Sequence, residues 1–157
     1  MTTDISTSTT VESPAQLLGL VGELLGTSNW REVTQPDVDR FAQATGDEQW
    51  IHIDVERAAS GPFGGTIAHG YMTLSLIAPL MADVLHITNL GMGVNYGLNK
   101  ARFPAPVLVG SRVRLSARVA AAEQIKGGVQ IIAAVTIERE GGDKPVCVAE
   151  AVLRYYE

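Results

Sequence analysis

From Ala68 to about Leu85 the chain is almost wholly apolar, with Met72, Leu76, Leu80 and Met81 among its members and no charged side chain before Asp83. A helix that is apolar on every side must be buried on every side. At 1.5 Å per residue, roughly 18 positions span about 27 Å, enough to cross a small domain. Pro79 lies inside this run, lacks an N–H and crowds the preceding turn, so a kink or break is expected near Ser75 to Pro79. Whatever this chain folds into has to wrap such a helix.

The C-terminal half offers the wrapping. Val113, Leu115, Ala117 and Val119 alternate with Arg112, Arg114, Ser116 and Arg118, and Val129, Ile131, Ala133, Val135 and Ile137 alternate again after Lys126-Gly127-Gly128. Glu140-Gly141-Gly142-Asp143 reads as a hairpin turn into a last strand, Val146 to Tyr156. One buried helix and an antiparallel meander predict an α+β domain whose sheet curls over the helix. With 157 residues, 46% of them hydrophobic, one domain over residues 13–157 is expected. The Ser/Thr-rich stretch 1–12 carries neither an apolar leader core nor an arginine-rich amphipathic pattern and reads as a disordered tail.

Nearer the N-terminus, Ser13-Pro14-Ala15-Gln16 looks like a capping box, and Leu17, Leu18, Val21, Leu24 and Leu25 predict a helix stopped by Gly26. A short extended piece, Trp30 to Val33, leads to a second helix that starts at Thr34, carries Phe41 and ends on Gly46 as a left-handed terminator. Asp54 caps one or two turns through Ala59, and Gly61-Pro62-Phe63-Gly64-Gly65 must be a loop.

The net charge of −5 argues against a nucleic-acid or membrane-surface protein, because such binding requires a concentrated basic face. The charge is uneven: residues 1–60 hold ten acids and three bases, residues 61–157 seven acids and nine bases. No window has the 18 or so uninterrupted apolar residues of a membrane span. Cys147, the one cysteine, cannot form an internal disulfide and sits in a strand-like run, which suits a reducing compartment; a soluble cytoplasmic protein is expected. No phosphate loop, nucleophile elbow or H-E-x-x-H occurs, and Gly91-Met92-Gly93 lacks the third glycine of a dinucleotide fingerprint. His52, His69 and His86 are evenly spread and no cysteine pair accompanies them, so no metal, flavin or nicotinamide is called for.

Three places carry candidate chemistry. Asp47 and His52 lie five residues apart on one connection, where a carboxylate and an imidazole can bind a water and move its proton. The spacing alone fits better a turn-capping acid and a half-buried loop histidine. Gly70 opens the long helix, where an N–H without an intrahelical acceptor favours a developing oxyanion; the alternative is a glycine that only lets the helix pack closely. His69 taken alone reads as a packed or capping histidine. Lys100 and Arg102 precede the Pro-broken stretch Phe103 to Val107 and suit phosphate oxygens, or else a solvated strand edge.

Taken in order, Phe41, Gly46-Asp47, His52, Ile67-Ala68-His69-Gly70 and Phe103-Pro104-Ala105-Pro106-Val107 resemble the signature of the MaoC-like (R)-specific enoyl-CoA hydratases, in particular their nodulation-protein-N-like branch. The resemblance covers about residues 28–156. It implies a hotdog fold, a sheet curled around the 68–85 helix, with two subunits joined edge to edge in a homodimer. It implies Asp47 and His52 as the pair acting on the hydrating water and the Gly70 N–H as oxyanion donor. Thr66, Ile67, Tyr71 and Met72 become candidate acyl-pocket residues, ordinary core packing being the alternative for each. The substrate implied is a coenzyme A or acyl carrier protein thioester. Gln49 and Trp50 stand where the signature has Asn and Pro; Trp50 is expected to remove a rigid turn and add an apolar wall to the pocket. Two rivals share the fold: a thioesterase, which wants a carboxylate near the central helix where Ala68 to Ala82 has none, and a non-catalytic acyl-CoA-binding partner subunit, which would have lost one of the pair.

Overall fold

The computed structural model describes residues 5–157. Its strands are β1 Thr9–Val11, β2 Leu24–Thr27, β3 Arg31–Glu32, β4 Leu85–Ile87, β5 Met92–Arg102, β6 Arg112–Ile125, β7 Gly128–Arg139 and β8 Cys147–Tyr156. Its α-helices are α1 Gln35–Thr45, α2 Trp50–Ile53, α3 Val55–Ala59, α4 Gly70–Ser75 and α5 Ile77–Val84. The main sheet runs β2-β6-β7-β8-β5, with β3 also paired to β6, and every pairing in it is antiparallel.

The alternating residues of β6 and β7 form the inner face as expected. Leu115 lies opposite Ile137, Ala117 opposite Val135 and Val119 opposite Ala133, and all six are buried. Ala149, Ala151 and Leu153 of β8 continue that face, and Leu76, Ile77, Leu80, Met81 and Val84 of the helical segment fill the same core. Burying each of these leucine, isoleucine, valine and methionine side chains contributes about 1.5–3 kcal/mol relative to exposure. Cys147 is fully buried on β8, and burial pushes its thiol up to about 11, so it behaves as a small core residue.

The apolar run breaks where expected. Helix α4 ends at Ser75 and α5 starts at Ile77; Pro79 has no N–H to give the Ser75 carbonyl four residues earlier, and the ladder is interrupted there. Leu85 already belongs to β4.

Three expectations are corrected. Residues 14–25 are not one helix: Pro14–Leu20 is a 3-10 helix, Gly22 turns the chain at φ 88°, and Leu24 and Leu25 enter β2. Of the apolar set only Leu17 and Leu25 reach the core, while Leu18, Val21 and Leu24 stay exposed. Gly26 therefore ends no helix. It stands in β2 at φ 152°, where a Cβ would sit 2.0 Å from the carbonyl oxygen of Thr7, which bridges the neighbouring Thr27. Second, the 1–12 stretch is not wholly a tail. Thr9–Val11 pairs in parallel with β4, Thr9 Oγ1 donates to the Leu25 carbonyl at 2.7 Å, and Val11 is buried. Residues 1–4 of that expected tail lie outside the described residues. Third, β5 is a full edge strand of the sheet that the alternation rule missed, because most of its side chains are exposed on both faces.

Candidate active site

Helix α1 begins on Thr34, whose Oγ1 accepts from the Asp37 N–H at 3.3 Å, and stops on Gly46 at φ 78°, whose N–H donates to the Ala42 carbonyl. The left-handed residue turns the chain out of the helix and delivers Asp47 to the surface of a cleft. After residues 46–49, which adopt no regular structure, α2 carries His52 on its inward side.

His52 is 5% exposed, and its position is fixed twice. Its ring Nδ1 lies 2.6 Å from the Ile67 carbonyl oxygen. A carbonyl only accepts, so Nδ1 carries the hydrogen and Nε2 presents a lone pair. Its main-chain carbonyl accepts from Gln35 Nε2 at 2.8 Å, and Gln35 is itself held by Thr66 Oγ1, which donates to Gln35 Oε1 at 2.6 Å. Burial drives the His52 pKa below the ordinary histidine value. The Ile67 bond and the Asp47 charge push back, and His69 adds to the lowering. The ring is thus neutral near pH 7 and available as a base.

His69 is 3% exposed and precedes α4. Its ring stacks on His52 with centroids 3.7 Å and planes 22° apart, and Phe41 closes its flank at 4.8 Å. His69 Nε2 lies 2.8 Å from the Asp47 carbonyl oxygen and so is the donor, while the buried Nδ1 has no partner among the described residues. Asp47, His52 and His69 can each bring one donor atom within 4.8 Å of the others. One nitrogen of each ring already donates to a main-chain carbonyl, His52 Nδ1 to Ile67 and His69 Nε2 to Asp47, which leaves one nitrogen on each. His86, the third histidine, is on β4 and exposed.

Gly70 is the first residue of α4, and its N–H has no acceptor within the helix. A Cβ at this position would meet the Phe103 ring at 2.9 Å, so only glycine lets that ring close over the helix start. Phe41, Asp47, His52, Gly70, Tyr71 and Phe103 line one open cleft of about 480 Å³. Tyr71, 74% exposed and edge-on to Phe103 at 6.3 Å, also borders a second, apolar groove of about 270 Å³ between α4–α5 and the strands β5 and β8.

The candidate residues separate accordingly. Asp47, His52, Gly70 and Tyr71 share the cleft. Ile67 supports it through its carbonyl and lines a neighbouring depression with its side chain. Thr66 stands behind the cleft as a buried donor to Gln35, and Met72 is packed into the core. Lys100 and Arg102 are exposed on β5, outside the cleft, with Arg102 Nη1 donating to the Ala101 carbonyl. Trp50 adds no wall: it starts α2, its ring packs against Gly61, and the Arg57 guanidinium carbon lies 4.3 Å over its centre. Gln35 went unnoticed in the sequence, since a polar residue in a first helical turn carries no signal of a distant partner.

The family model for the MaoC like domain matches residues 17–140. The 3-hydroxyacyl-thioester dehydratase Z of Mycobacterium tuberculosis is 52% identical over 147 residues, covering 93% of this chain and 97% of that protein. Nodulation protein N of Rhizobium leguminosarum bv. viciae is 43% identical over 142 residues, covering 87% of each. Among solved structures, the unliganded R-hydratase of Pseudomonas aeruginosa superposes with a TM-score of 0.71 at 26% identity, over 87% of this chain and 82% of that one. The sheet packed on a broken central helix is the hotdog fold of these proteins. By sequence, fold and matched domain together, the chain is a hydro-lyase of the MaoC-like dehydratase family.

Proposed function

We propose that this protein hydrates trans-2-enoyl thioesters reversibly, by syn addition, to (R)-3-hydroxyacyl thioesters. The observation that carries the reading is the pairing in one cleft of the Asp47 carboxylate, the His52 Nε2 lone pair and the Gly70 N–H. Carboxylate and neutral imidazole are both acceptors. One water can donate a hydrogen to each and is left with its own lone pair facing the substrate.

As that oxygen bonds to C3, one of its protons passes to the Asp47–His52 pair. The C2–C3 π electrons move toward the thioester, whose carbonyl oxygen gathers negative charge as an enolate and is held by the Gly70 N–H. C2 then takes a proton from the pair on the same face. Dehydration is the same path reversed, which agrees with the name of the mycobacterial relative. The formal base is a property of the pair, since two interacting groups titrate together.

The apolar groove that meets the cleft at Tyr71 suits the acyl chain, each buried methylene adding about 0.8 kcal/mol. In this reading Lys100 and Arg102 meet phosphates of coenzyme A or of an acyl carrier protein as they arrive, and a homodimer forms along β5. The buried, unpaired Cys147 fits a cytoplasmic setting. No helix among the described residues is long and apolar enough to cross a membrane.

The test is purified protein with crotonyl-CoA and longer 2-enoyl-CoAs, following the enoyl absorbance, with a free-thiol reagent in parallel. Loss of absorbance without thiol release supports hydration. Loss of absorbance matched by equimolar thiol release would assign the site to a thioesterase.

A further inference from the structure

We infer that His69 is a positioning residue that holds the Asp47 main chain against the His52 ring. The inference rests on the hydratase reading for its kinetic consequence but not for its geometry. Asp47 sits in a short segment without regular structure between two helices, where a side chain is ordinarily free to wander. Its own N–H reaches only the Thr45 hydroxyl, at 3.4 Å. The stronger restraint is on its carbonyl, which takes the His69 Nε2–H at 2.8 Å.

The other face of the same imidazole touches the second half of the pair. His69 lies between Phe41 at 4.8 Å and His52 at 3.7 Å, so the ring that bonds the Asp47 carbonyl also fixes the plane in which the His52 Nε2 lone pair points. The next residue along the chain is Gly70, with its free N–H. One side chain therefore connects all three parts of the proposed chemistry.

Of its two ring nitrogens, Nε2 is committed as donor to Asp47, and the buried Nδ1 makes no hydrogen bond among the described residues. His69 itself is not a catalytic residue here. One ring face is stacked on His52, Phe41 packs against the ring at 4.8 Å, and its N–H is spent on the main chain. What it supplies is registration, and misplacing a reacting group by about 1 Å costs on the order of 10²-fold in rate.

Two substitutions separate its roles. His69→Phe keeps a flat ring between Phe41 and His52 but removes the donor. His69→Gln loses the stack but carries an amide N–H at about the reach of Nε2. Hydrogen exchange over residues 46–52 is the readout independent of substrate. His69→Phe is expected to speed it roughly five- to tenfold, the change in opening that one lost hydrogen bond carries, and His69→Gln to restore it.

On crotonyl-CoA, His69→Phe is expected to lower kcat on the order of 10–10²-fold with KM little changed, and His69→Gln to recover most of that loss. If His69→Phe does not fold, His69→Leu gives the same donor-free test. Unchanged exchange in the donor-free variant, no advantage of Gln over Phe, or a loss confined to KM would overturn the role. A wild type inactive on every enoyl thioester would sink the hydratase reading alone, and the exchange experiment would still decide whether His69 anchors Asp47.

Discussion

His52 donates its Nδ1–H to the Ile67 carbonyl at 2.6 Å, and this one bond decides which of its nitrogens is the base. The bond crosses from α2 to the segment that leads into α4, so the strand of chain that offers the Gly70 N–H also sets the tautomer of the imidazole facing it.

The pH dependence follows from the direction of the His52 shift. Burial lowers its pKa in the folded protein, so kcat/KM should stay level as pH falls past the ordinary histidine value of about 6.5 and drop only below it. Stability takes the same sign. The unfolded chain binds the proton first, so the contribution is whole above the unfolded pKa and is lost as pH falls through the folded one. A pH–rate profile and denaturant titrations across the same range check both; an acid limb above 6.5 would contradict the assignment.

Strand β5 exposes most of its side chains, Met92, Tyr96 and Leu98 among them, and pairs on one side only, with β8. A long, apolar, unpaired edge has to be covered. Sedimentation should therefore give a dimer at micromolar concentration, and Leu98→Lys should shift it toward monomer. A wild-type monomer would remove the edge-to-edge arrangement.

Lys100 and Arg102 lie on that same strand, exposed and outside the cleft. If they meet phosphate oxygens through solvent, Lys100→Ala and Arg102→Ala should raise KM for coenzyme A substrates more at low salt than at high salt, because exposed charge pairs are screened. A loss indifferent to salt would point to packing instead.

Sequence signals were readable where the cause is local. The Thr34 cap, the left-handed Gly46, the Asp54 cap and the break before Pro79 each depend on residues within one turn. The period-2 patterns of β6, β7 and β8 were readable because one face of each packs on the core. Failure came where tertiary partners decide. Leu17 to Leu25 has helical spacing, yet Leu25 is drawn into a strand by β6. Strand β5 shows no alternation because little of it is buried.

At the site, Asp47, His52 and Gly70 were legible through an ordered signature rather than through their chemistry. The supports of His52 were not, since Gln35 acts from 17 positions away and the Ile67 carbonyl from 15. Main-chain acceptors leave no trace in residue identity. Trp50 was misjudged for a similar reason: its ring packs with Gly61 and Arg57 and is not among the residues lining the cleft.

Asp47 and His52 act on one water in this account, so removing either should cost most of the proton-transfer advantage, on the order of 10²–10⁴ in kcat. The decisive measurement is the hydration rate of crotonyl-CoA by Asp47→Asn, His52→Gln and the double variant, with fold and assembly checked by circular dichroism and sedimentation. All three should fall to similarly low kcat, because groups that work as a unit are non-additive. Near-wild-type hydration in either single variant, or single losses that simply multiply in the double, would contradict the shared water and return Asp47 to the role of a turn residue.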